Sequence, residues 1–384
     1  MELVGVITFI TALVITILGV ILVKRLARVL HFVDEPGERK VHQYSIPLGG
    51  GIALFFGVFL TFFLAIVSVS LIKIYRPLWL PPAIYEYLPG VFIMIPRLVT
   101  IFIGGMMMFM VGLIDDIWGL KPSIKLLGQF IVALFLVISD IHLSLFLPRS
   151  IPLANYFAGL ITIAWIILIT NSLNLLDHMD GLSAGVTAVL SAIFLIAAYQ
   201  TGQYFIASFL CAILGATIGF LVFNTHPASI FMGDAGSLLL GYMVSILTII
   251  FTFYRTQADY PFYVFFVPLL VVAVPLFDTI SVVIIRLKNH KPIFKGDMNH
   301  LAHRLIGLGM SVRSAVLTIY LLTIGTGLPA VLLYFIRKEK SLIVSLIILC
   351  QVILVLIIIT LLEQAGRNSI KEHDENKTKN DTQH

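Results

Sequence analysis

Long apolar runs dominate this sequence and restrict the kind of fold that it can adopt. Backbone groups inside a bilayer need internal hydrogen-bond partners, and these runs are too long and too uniform for the strands of a barrel. Only 12% of the residues are charged, about half the share that is usual in soluble domains. We therefore expect an all-α polytopic membrane protein with about eleven transmembrane helices. The apolar runs lie at 3–23, 48–72, 98–114, 124–139, 156–173, 183–199, 204–223, 237–254, 262–285, 315–336 and 341–362.

The distribution of basic residues predicts which way the helices face. Of the 25 Lys and Arg residues, 17 fall in loops that an alternating topology places on one side, and that side is expected to be cytoplasmic. The N-terminus then lies outside and the C-terminus inside. Residues 363–384 are polar and mixed in charge, which predicts a disordered cytoplasmic tail after a membrane domain at 1–362.

Two adjacent carboxylates, Asp115 and Asp116, follow the third apolar run. Ionisable groups at membrane depth are costly and usually serve a function. Such a pair could bind a hard cation, or one member could act as a base while the other orients it. The alternative is that both are solvated and cap a helix that begins near Ser123.

Four polar residues, Asn171, Asn174, Asp177 and Asp180, recur at a spacing of three where the fifth apolar run ends. This spacing keeps side chains near one face of a helix end. Gly181 fits an ordinary helix stop, but a helix stop does not explain four polar side chains on one face. We interpret them as part of a polar site.

The segment from Asn224 to Ser237 contains Gly233 and Gly236 on either side of Asp234. Glycine permits close approach to the backbone, and a helix N-terminus favours a phosphate or a phosphate-bound metal. The same pattern also fits a reverse turn in which Asp234 is the helix N-cap.

A histidine-rich loop on the predicted cytoplasmic side contains His300, His303 and Arg304 at helical spacing. These residues could neutralise a diphosphate, although positive charge in such a loop also follows from topology alone.

The first basic loop contains Lys40 and His42 and leads into the glycines at 49–51. These glycines could admit a ligand headgroup, or they could simply let two helices pack closely.

Carboxylates, amides, glycines and cations are thus predicted to meet at one face of the membrane. This set suits metal-assisted transfer at a phosphate, because Mg²⁺ is usually held by one or two protein carboxylates and by substrate phosphates. Lys and Arg would offset the remaining negative charge. A membrane transporter is the alternative class, but its polar residues would gather near the bilayer midplane, and no inverted repeat is visible.

Taken together, the motifs resemble those of the polyprenyl-phosphate N-acetylhexosamine-1-phosphate transferases of the WecA and TagO type, and more distantly MraY, over residues 1–336. These enzymes begin cell-envelope polysaccharides such as O-antigen and the teichoic acid linkage unit. The resemblance rests on Arg39-Lys40-x-His42, Asp115-Asp116, Asn174-x-x-Asp177-x-x-Asp180-Gly181, the segment from Asn224 to Ser237, and the histidine-rich loop.

The resemblance implies an activity and a cofactor. N-acetylglucosamine-1-phosphate would pass from UDP-N-acetylglucosamine to undecaprenyl phosphate, with release of UMP and with Mg²⁺ (or Mn²⁺) as cofactor. The active site would lie on the cytoplasmic face of the plasma membrane. We also expect contact with the lipid bilayer, a homodimer, and no nucleic-acid partner.

The resemblance also implies a role for each matching residue. The metal ligands would be Asp234 and Asn174. The catalytic residues would be Asp115, Asp116, Asp177, Lys125, His300, His303 and Arg304. The substrate-binding residues would be Lys40, His42, Asp180, Asn224 and Phe231, of which Asp180 and Asn224 would contact the nucleoside and Phe231 would stack on uracil.

Three positions depart from the usual family pattern. His178 stands where glycine is common, Ala302 replaces a histidine, and Gly119 follows the aspartate pair where a polar residue is common. A single contact can reverse the choice between sugars. The His178 and Ala302 departures therefore leave another UDP-N-acetylhexosamine as an alternative donor. UDP-muramoyl-pentapeptide is a separate alternative, which follows from the more distant resemblance to MraY.

Overall fold

The computed structural model describes residues 2–35, 44–77, 82–143, 154–253, 266–292, 299–332 and 341–381. Within these ranges the strands form one short antiparallel pair, β1 (Val33–Asp34) and β2 (Ile46–Pro47). The expected all-α membrane fold is confirmed. The helices are α1 (Glu2–Val29), α2 (Gly50–Tyr75), α3 (Pro82–Trp118), α4 (Pro122–Ile138), α5 (Ala154–Leu176), α6 (Leu182–Gln200), α7 (Tyr204–Asn224), α8 (Gly233–Phe253), α9 (Phe266–Val271), α10 (Ala273–Lys288), α11 (Leu301–Gly307), α12 (Val312–Leu332) and α13 (Ser341–Asp381).

The chain forms two compact units, Met1–Phe262 and Tyr263–His384. In the first unit α8 is central, because it packs against α2, α3, α5 and α6. In α8, 83% of the apolar span is buried inside the protein, against 28% in α1. Such a contrast fits a central helix surrounded by protein and a peripheral helix that faces lipid. In the second unit α12 packs against α9, α10, α11 and α13.

Nine helices in the described ranges are long and apolar enough to cross a membrane, and α4 is a shorter apolar helix. The predicted run at 262–285 is interrupted, since α9 ends at Val271 and α10 begins at Ala273. Pro275 explains this interruption, because proline has no N–H to donate to the carbonyl of Val271. The prediction of about eleven spans therefore agrees with the fold except for this break and the short α4.

Two helices extend beyond the apolar runs that predicted them. α3 begins at Pro82 rather than at residue 98 and includes Pro89 and Pro96. α13 continues to Asp381, beyond the apolar run at 341–362, while the disordered tail at 363–384 stays a prediction. That segment contains no proline and several Glu and Lys residues, which are good helix formers. The division of the chain at residue 362 and the orientation of the termini stay predictions.

Glycines allow α1, α2 and α7 to approach one another closely. A Cβ at Gly215 of α7 would overlap the carbonyl oxygen of Phe9 in α1, and a Cβ at Gly57 of α2 would overlap the Thr16 hydroxyl. Small residues have this role in membranes because no hydrophobic force drives helices together there.

We expect Gly215→Val to destabilise the first unit by about 1–3 kcal/mol, because the added side chain forces α7 away from α1. The measurement is thermal unfolding of the purified protein in detergent. Gly90→Ala is the matched control, since a Cβ at Gly90 has no heavy atom within 4 Å. Equal melting temperatures for the two variants would contradict the proposed packing of α1 on α7.

Candidate active site

The first turn of α8 carries the residue at the centre of the site. Gly233 opens this helix with a φ of +74°, which glycine adopts without side-chain strain. A Cβ at Gly233 would lie 2.5 Å from a carboxylate oxygen of Asp116, and a Cβ at Gly112 of α3 would overlap the Asp234 carbonyl. Both glycines are therefore needed for α3 to reach the start of α8 and bring Asp116 beside Asp234.

Asp116 caps α8 from α3. Its Oδ1 accepts the N–H of Asp234 at 2.7 Å, and its Oδ2 accepts the N–H of Ala235 at 3.0 Å. The first N–H groups of a helix have no partner within that helix, and the helix dipole favours a negative charge at this end. The alternative interpretation of the aspartate pair as a helix cap thus holds for Asp116, but the capped helix is α8 rather than one near Ser123.

Lys125 of α4 lies between two carboxylates. Its Nζ is 2.9 Å from Asp115 Oδ2 and 2.8 Å from Asp234 Oδ1. Asp115 also accepts the N–H of Leu120 at 2.7 Å, which closes the turn between α3 and α4. The Lys125 side chain is only 15% exposed, so water screens these ion pairs less than it screens pairs on a surface.

The end of α5 brings an amide to the same place. Asn174 Nδ2 donates a hydrogen bond to Asp234 Oδ1 and another, of 2.8 Å, to Ser237 Oγ. The two residues that we expected to bind a metal are therefore in direct contact. Four helices, α3, α4, α5 and α8, supply the side chains around the Asp234 carboxylate, since Asp115 of α3 also contacts it.

Asp177 follows α5, in a region where negative charge is in excess. Burial is the main cause that raises the pKa of Asp177 well above its usual range, and the negative charges of Asp234 and Asp116 add to it. In the described part of the chain, no three Asp, Glu, His or Cys side chains come together to chelate a metal by themselves. A metal ion here would therefore share its coordination with ligand oxygens, as Mg²⁺ does with phosphates.

Asp180 supports the loop that precedes α8. Its Oδ2 accepts a hydrogen bond from His226 Nδ1 at 2.7 Å and another from the N–H of Ala228 at 3.0 Å. If Asp180 contacts the nucleoside, His226 would hold the Asp180 carboxylate in place. We did not single out His226 from the sequence.

Asn224 connects the turn before α6 to the loop before α8, and it is only 3% exposed. Its Oδ1 accepts the N–H of Gly181 at 2.9 Å, and its Nδ2 donates to the carbonyl of Ile230 at 2.9 Å. The contacts shown for Asn224 are thus internal to the protein, and a direct nucleoside contact stays a prediction.

The glycines at 49–51 hold the same loop through their backbone. Gly50 donates its N–H to the Phe231 carbonyl at 2.9 Å, and Gly51 donates to the Met232 carbonyl at 2.8 Å. A Cβ at Gly51 would overlap the backbone nitrogen of Gly236. These contacts favour the close-packing interpretation of the glycine run, while Phe231 itself keeps part of its surface exposed.

The histidine-rich segment belongs to the second unit, where two of its three predicted site residues are buried. His300 contacts Asp278 and Arg304 contacts Glu363, whereas His303 keeps part of its surface exposed. We did not identify Asp278 or Glu363 from the sequence. A carboxylate within an apolar run was the available signal for Asp278.

Two predicted substrate-binding residues, Lys40 and His42, lie outside the described residues.

Asn171, the first of the four polar residues at a spacing of three, donates to Gln129 Oε1 at 2.5 Å. Gln129 is a fully buried amide on α4, so Asn171 joins α4 to α5.

Known proteins share the segment that builds this site. A profile of glycosyl transferase family 4 matches residues 98–252, from α3 to α8. The chain is also 32% identical over 360 residues to a Bacillus subtilis (strain 168) protein named probable undecaprenyl-phosphate N-acetylglucosaminyl 1-phosphate transferase. That similarity covers 92% of this chain and 90% of the relative. This chain belongs to glycosyl transferase family 4. The resemblance that the sequence motifs indicated is confirmed.

Two further relatives carry different names and match different shares of the chain. The chain is 32% identical to the decaprenyl-phosphate N-acetylglucosaminephosphotransferase of Mycobacterium leprae (strain TN), over 81% of this chain and 79% of the relative. It is 38% identical to the phospho-N-acetylmuramoyl-pentapeptide-transferase of Anoxybacillus flavithermus (strain DSM 21510 / WK1), but over only 37% of this chain and 48% of the relative. Among these relatives, the two named for N-acetylglucosamine phosphate match most of the chain.

We expect Asp116→Ala to lower the stability of the first unit by about 1 kcal/mol, because two N–H groups at the start of α8 lose their acceptor. Asp116→Asn should cost less, since an amide oxygen can still accept one of these hydrogen bonds. Thermal unfolding in detergent measures both. Equal unfolding temperatures for the alanine variant and the parent would show that the cap does not stabilise α8.

Proposed function

We propose that this chain transfers N-acetylglucosamine-1-phosphate from UDP-N-acetylglucosamine to undecaprenyl phosphate and releases UMP. The observation that carries the proposal is the meeting of Asp234, Lys125 and Asn174 at the start of α8. These residues lie inside the segment that matches glycosyl transferase family 4. The names of the relatives that match most of the chain support the choice of donor sugar and acceptor.

The proposed reaction exchanges one phosphoanhydride bond for another. An oxygen of the lipid phosphate attacks the β-phosphorus of the UDP-sugar, and the bond from that phosphorus to the bridging oxygen breaks. UMP leaves with the bridging oxygen, and the sugar remains on the lipid as a diphosphate. A phosphate nucleophile is already ionised at neutral pH, so electrostatic stabilisation is more important than a strong general base.

Lys125 and the aspartate pair would provide this electrostatic environment. Lys125 can exchange a carboxylate partner for a phosphate oxygen, since both accept charge-assisted hydrogen bonds. Asp115 would keep Lys125 in place from one side. Asp116 would hold the start of α8, and with it Asp234, at a fixed position.

We further propose that Mg²⁺, or Mn²⁺ in its place, is held by Asp234 and Asn174. Carboxylate and amide oxygens are suitable ligands for such a hard cation, and the excess negative charge around Asp177 also favours one. The Asn174 nitrogen now faces Asp234, so this amide would have to turn its oxygen toward the metal. A bound Mg²⁺ would supply charge neutralisation for the diphosphate.

The site would face the cytoplasm at the plasma membrane, with the N-terminus outside, because most Lys and Arg residues fall in the loops of that side. We also propose that two copies of this chain form a homodimer. UDP-muramoyl-pentapeptide is the second candidate donor, because one muramoyl-pentapeptide transferase matches part of the chain.

We expect Asp234→Asn to lower UMP release by at least about a hundredfold, since the site loses the charge that would bind a phosphate-bound cation. The assay uses purified protein with UDP-N-acetylglucosamine, undecaprenyl phosphate and Mg²⁺, and EDTA should abolish release. Asp140→Asn is the matched control, because the side chain of Asp140 is 90% exposed. Near-normal turnover in a folded Asp234→Asn sample would reject the metal assignment.

A panel of donors tests the choice of sugar. We expect UDP-N-acetylglucosamine to support release of UMP and UDP-muramoyl-pentapeptide to fail, because a site for a compact sugar excludes an attached peptide by steric clash. UDP-N-acetylgalactosamine tests whether His178 and Ala302, which differ from the usual family residues, change the choice of sugar. Release of UMP from the pentapeptide donor alone would overturn the proposed donor. Release of UMP from none of the donors would favour the alternative class, a membrane transporter.

A further inference from the structure

Two carboxylates are buried in the described part of the second unit, each beside apolar residues of its own helix. Asp278 of α10 is fully buried, and Glu363 of α13 is 5% exposed. A buried carboxylate is costly unless charged or hydrogen-bonding groups surround it. Both have such partners on the same short segment, which is α11 and the residue before it.

Asp278 holds the beginning of α11. Its Oδ2 lies 2.8 Å from His300 Nδ1, and its Oδ1 accepts the N–H of Leu301 at 2.5 Å. An ionised carboxylate can only accept, so the His300 Nδ1 must carry the hydrogen. Helices of fewer than about twelve residues are marginal by themselves, and α11 has seven. It therefore depends on contacts of this kind.

Glu363 holds the middle of α11 through Arg304. The guanidinium Nη1 is 3.1 Å from Glu363 Oε2, and Nη2 donates to Ser281 Oγ of α10 at 2.9 Å. The same guanidinium lies 5.9 Å from the centre of the Phe277 ring. Arg304 is 9% exposed, so its charge is directed into the second unit rather than toward solvent.

These contacts divide the histidine-rich segment into buried and accessible residues. His300 and Arg304 are buried against carboxylates, at 4% and 9% exposure, whereas His303 keeps part of its surface exposed. We propose that Asp278 and Glu363 are positioning residues, which fix α11 through His300 and Arg304 and so hold His303 in the orientation that transfer requires. In this proposal Arg304 fixes α11 through its ion pair with Glu363 and makes no contact with the diphosphate. This inference rests on the proposed function.

The test replaces the ion pair by two apolar side chains of similar length. Glu363→Met alone leaves the buried Arg304 without its carboxylate, so we expect UMP release to fall at least about tenfold. The fall should appear in kcat, with KM for UDP-N-acetylglucosamine little changed. Adding Arg304→Met should restore kcat to within about threefold of the parent, because a buried ion pair can be replaced by packed apolar residues. Glu86→Met, at an exposed carboxylate of α3, is the control.

Hydrogen exchange of residues 301–307 gives a second measurement that does not depend on catalysis. Exchange should rise in Glu363→Met and in Asp278→Ala and should return to the parent rate in the Arg304→Met/Glu363→Met double variant. Asp278→Asn should be intermediate, since its amide oxygen can still accept the Leu301 N–H.

Two outcomes would overturn the inference. The first is a double variant with parent exchange rates but activity still at least about a hundredfold down, which would show that Arg304 itself contacts the substrate. The second is unchanged exchange in Glu363→Met. A parent protein that releases no UMP from any donor would instead count against the proposed function, and the exchange data would still decide whether the two carboxylates fix α11.

Discussion

The start of α8 depends on a carboxylate that comes from a different helix. Asp116 accepts the N–H groups of Asp234 and Ala235, which have no acceptor in their own helix. The partner of these two groups is therefore supplied by a side chain of another helix. The same two hydrogen bonds join α3 to α8 and fix the backbone that carries Asp234. The polar site therefore follows from satisfying the backbone at one helix end.

This constraint explains why so many polar residues of the motifs are occupied by internal contacts. Asp180 and Asn224 hold the loop that leads into α8. Lys125 and Asn174 differ, because side chains rather than backbone groups are their partners at Asp234. A side-chain partner can be exchanged for a phosphate oxygen without breaking a helix end. The groups most able to respond to a ligand are thus the two that surround Asp234.

Hydropathy predicted where most helices lie, because every backbone group in a bilayer must be paired within its own segment. It missed the first part of α3, where Glu86 and Arg97 lower the mean hydropathy. Spacing and resemblance also led to Asp116, Asp177 and Asp234. They could not show that Asp116 caps α8, because that contact joins residues that are 118 positions apart. For the same reason Glu363 was assigned to a tail, although its partner is Arg304.

The buried charges of the two units differ in whether they are paired. This difference distinguishes a cluster that can bind a ligand from one that holds a helix in place. In the described part of the chain, the carboxylates around Asp234 outnumber Lys125, the cation that pairs with them. Burial is the main cause of the raised pKa of Asp177, and the negative charges of Asp234 and Asp116 add to it. Such a cluster is stabilised when a cation or a cation-bound phosphate arrives. Among the described residues of the second unit, the two buried carboxylates each have a basic partner, namely His300 for Asp278 and Arg304 for Glu363. A cluster that is already paired gains little from a ligand, and its physical effect is to keep α11 in one place.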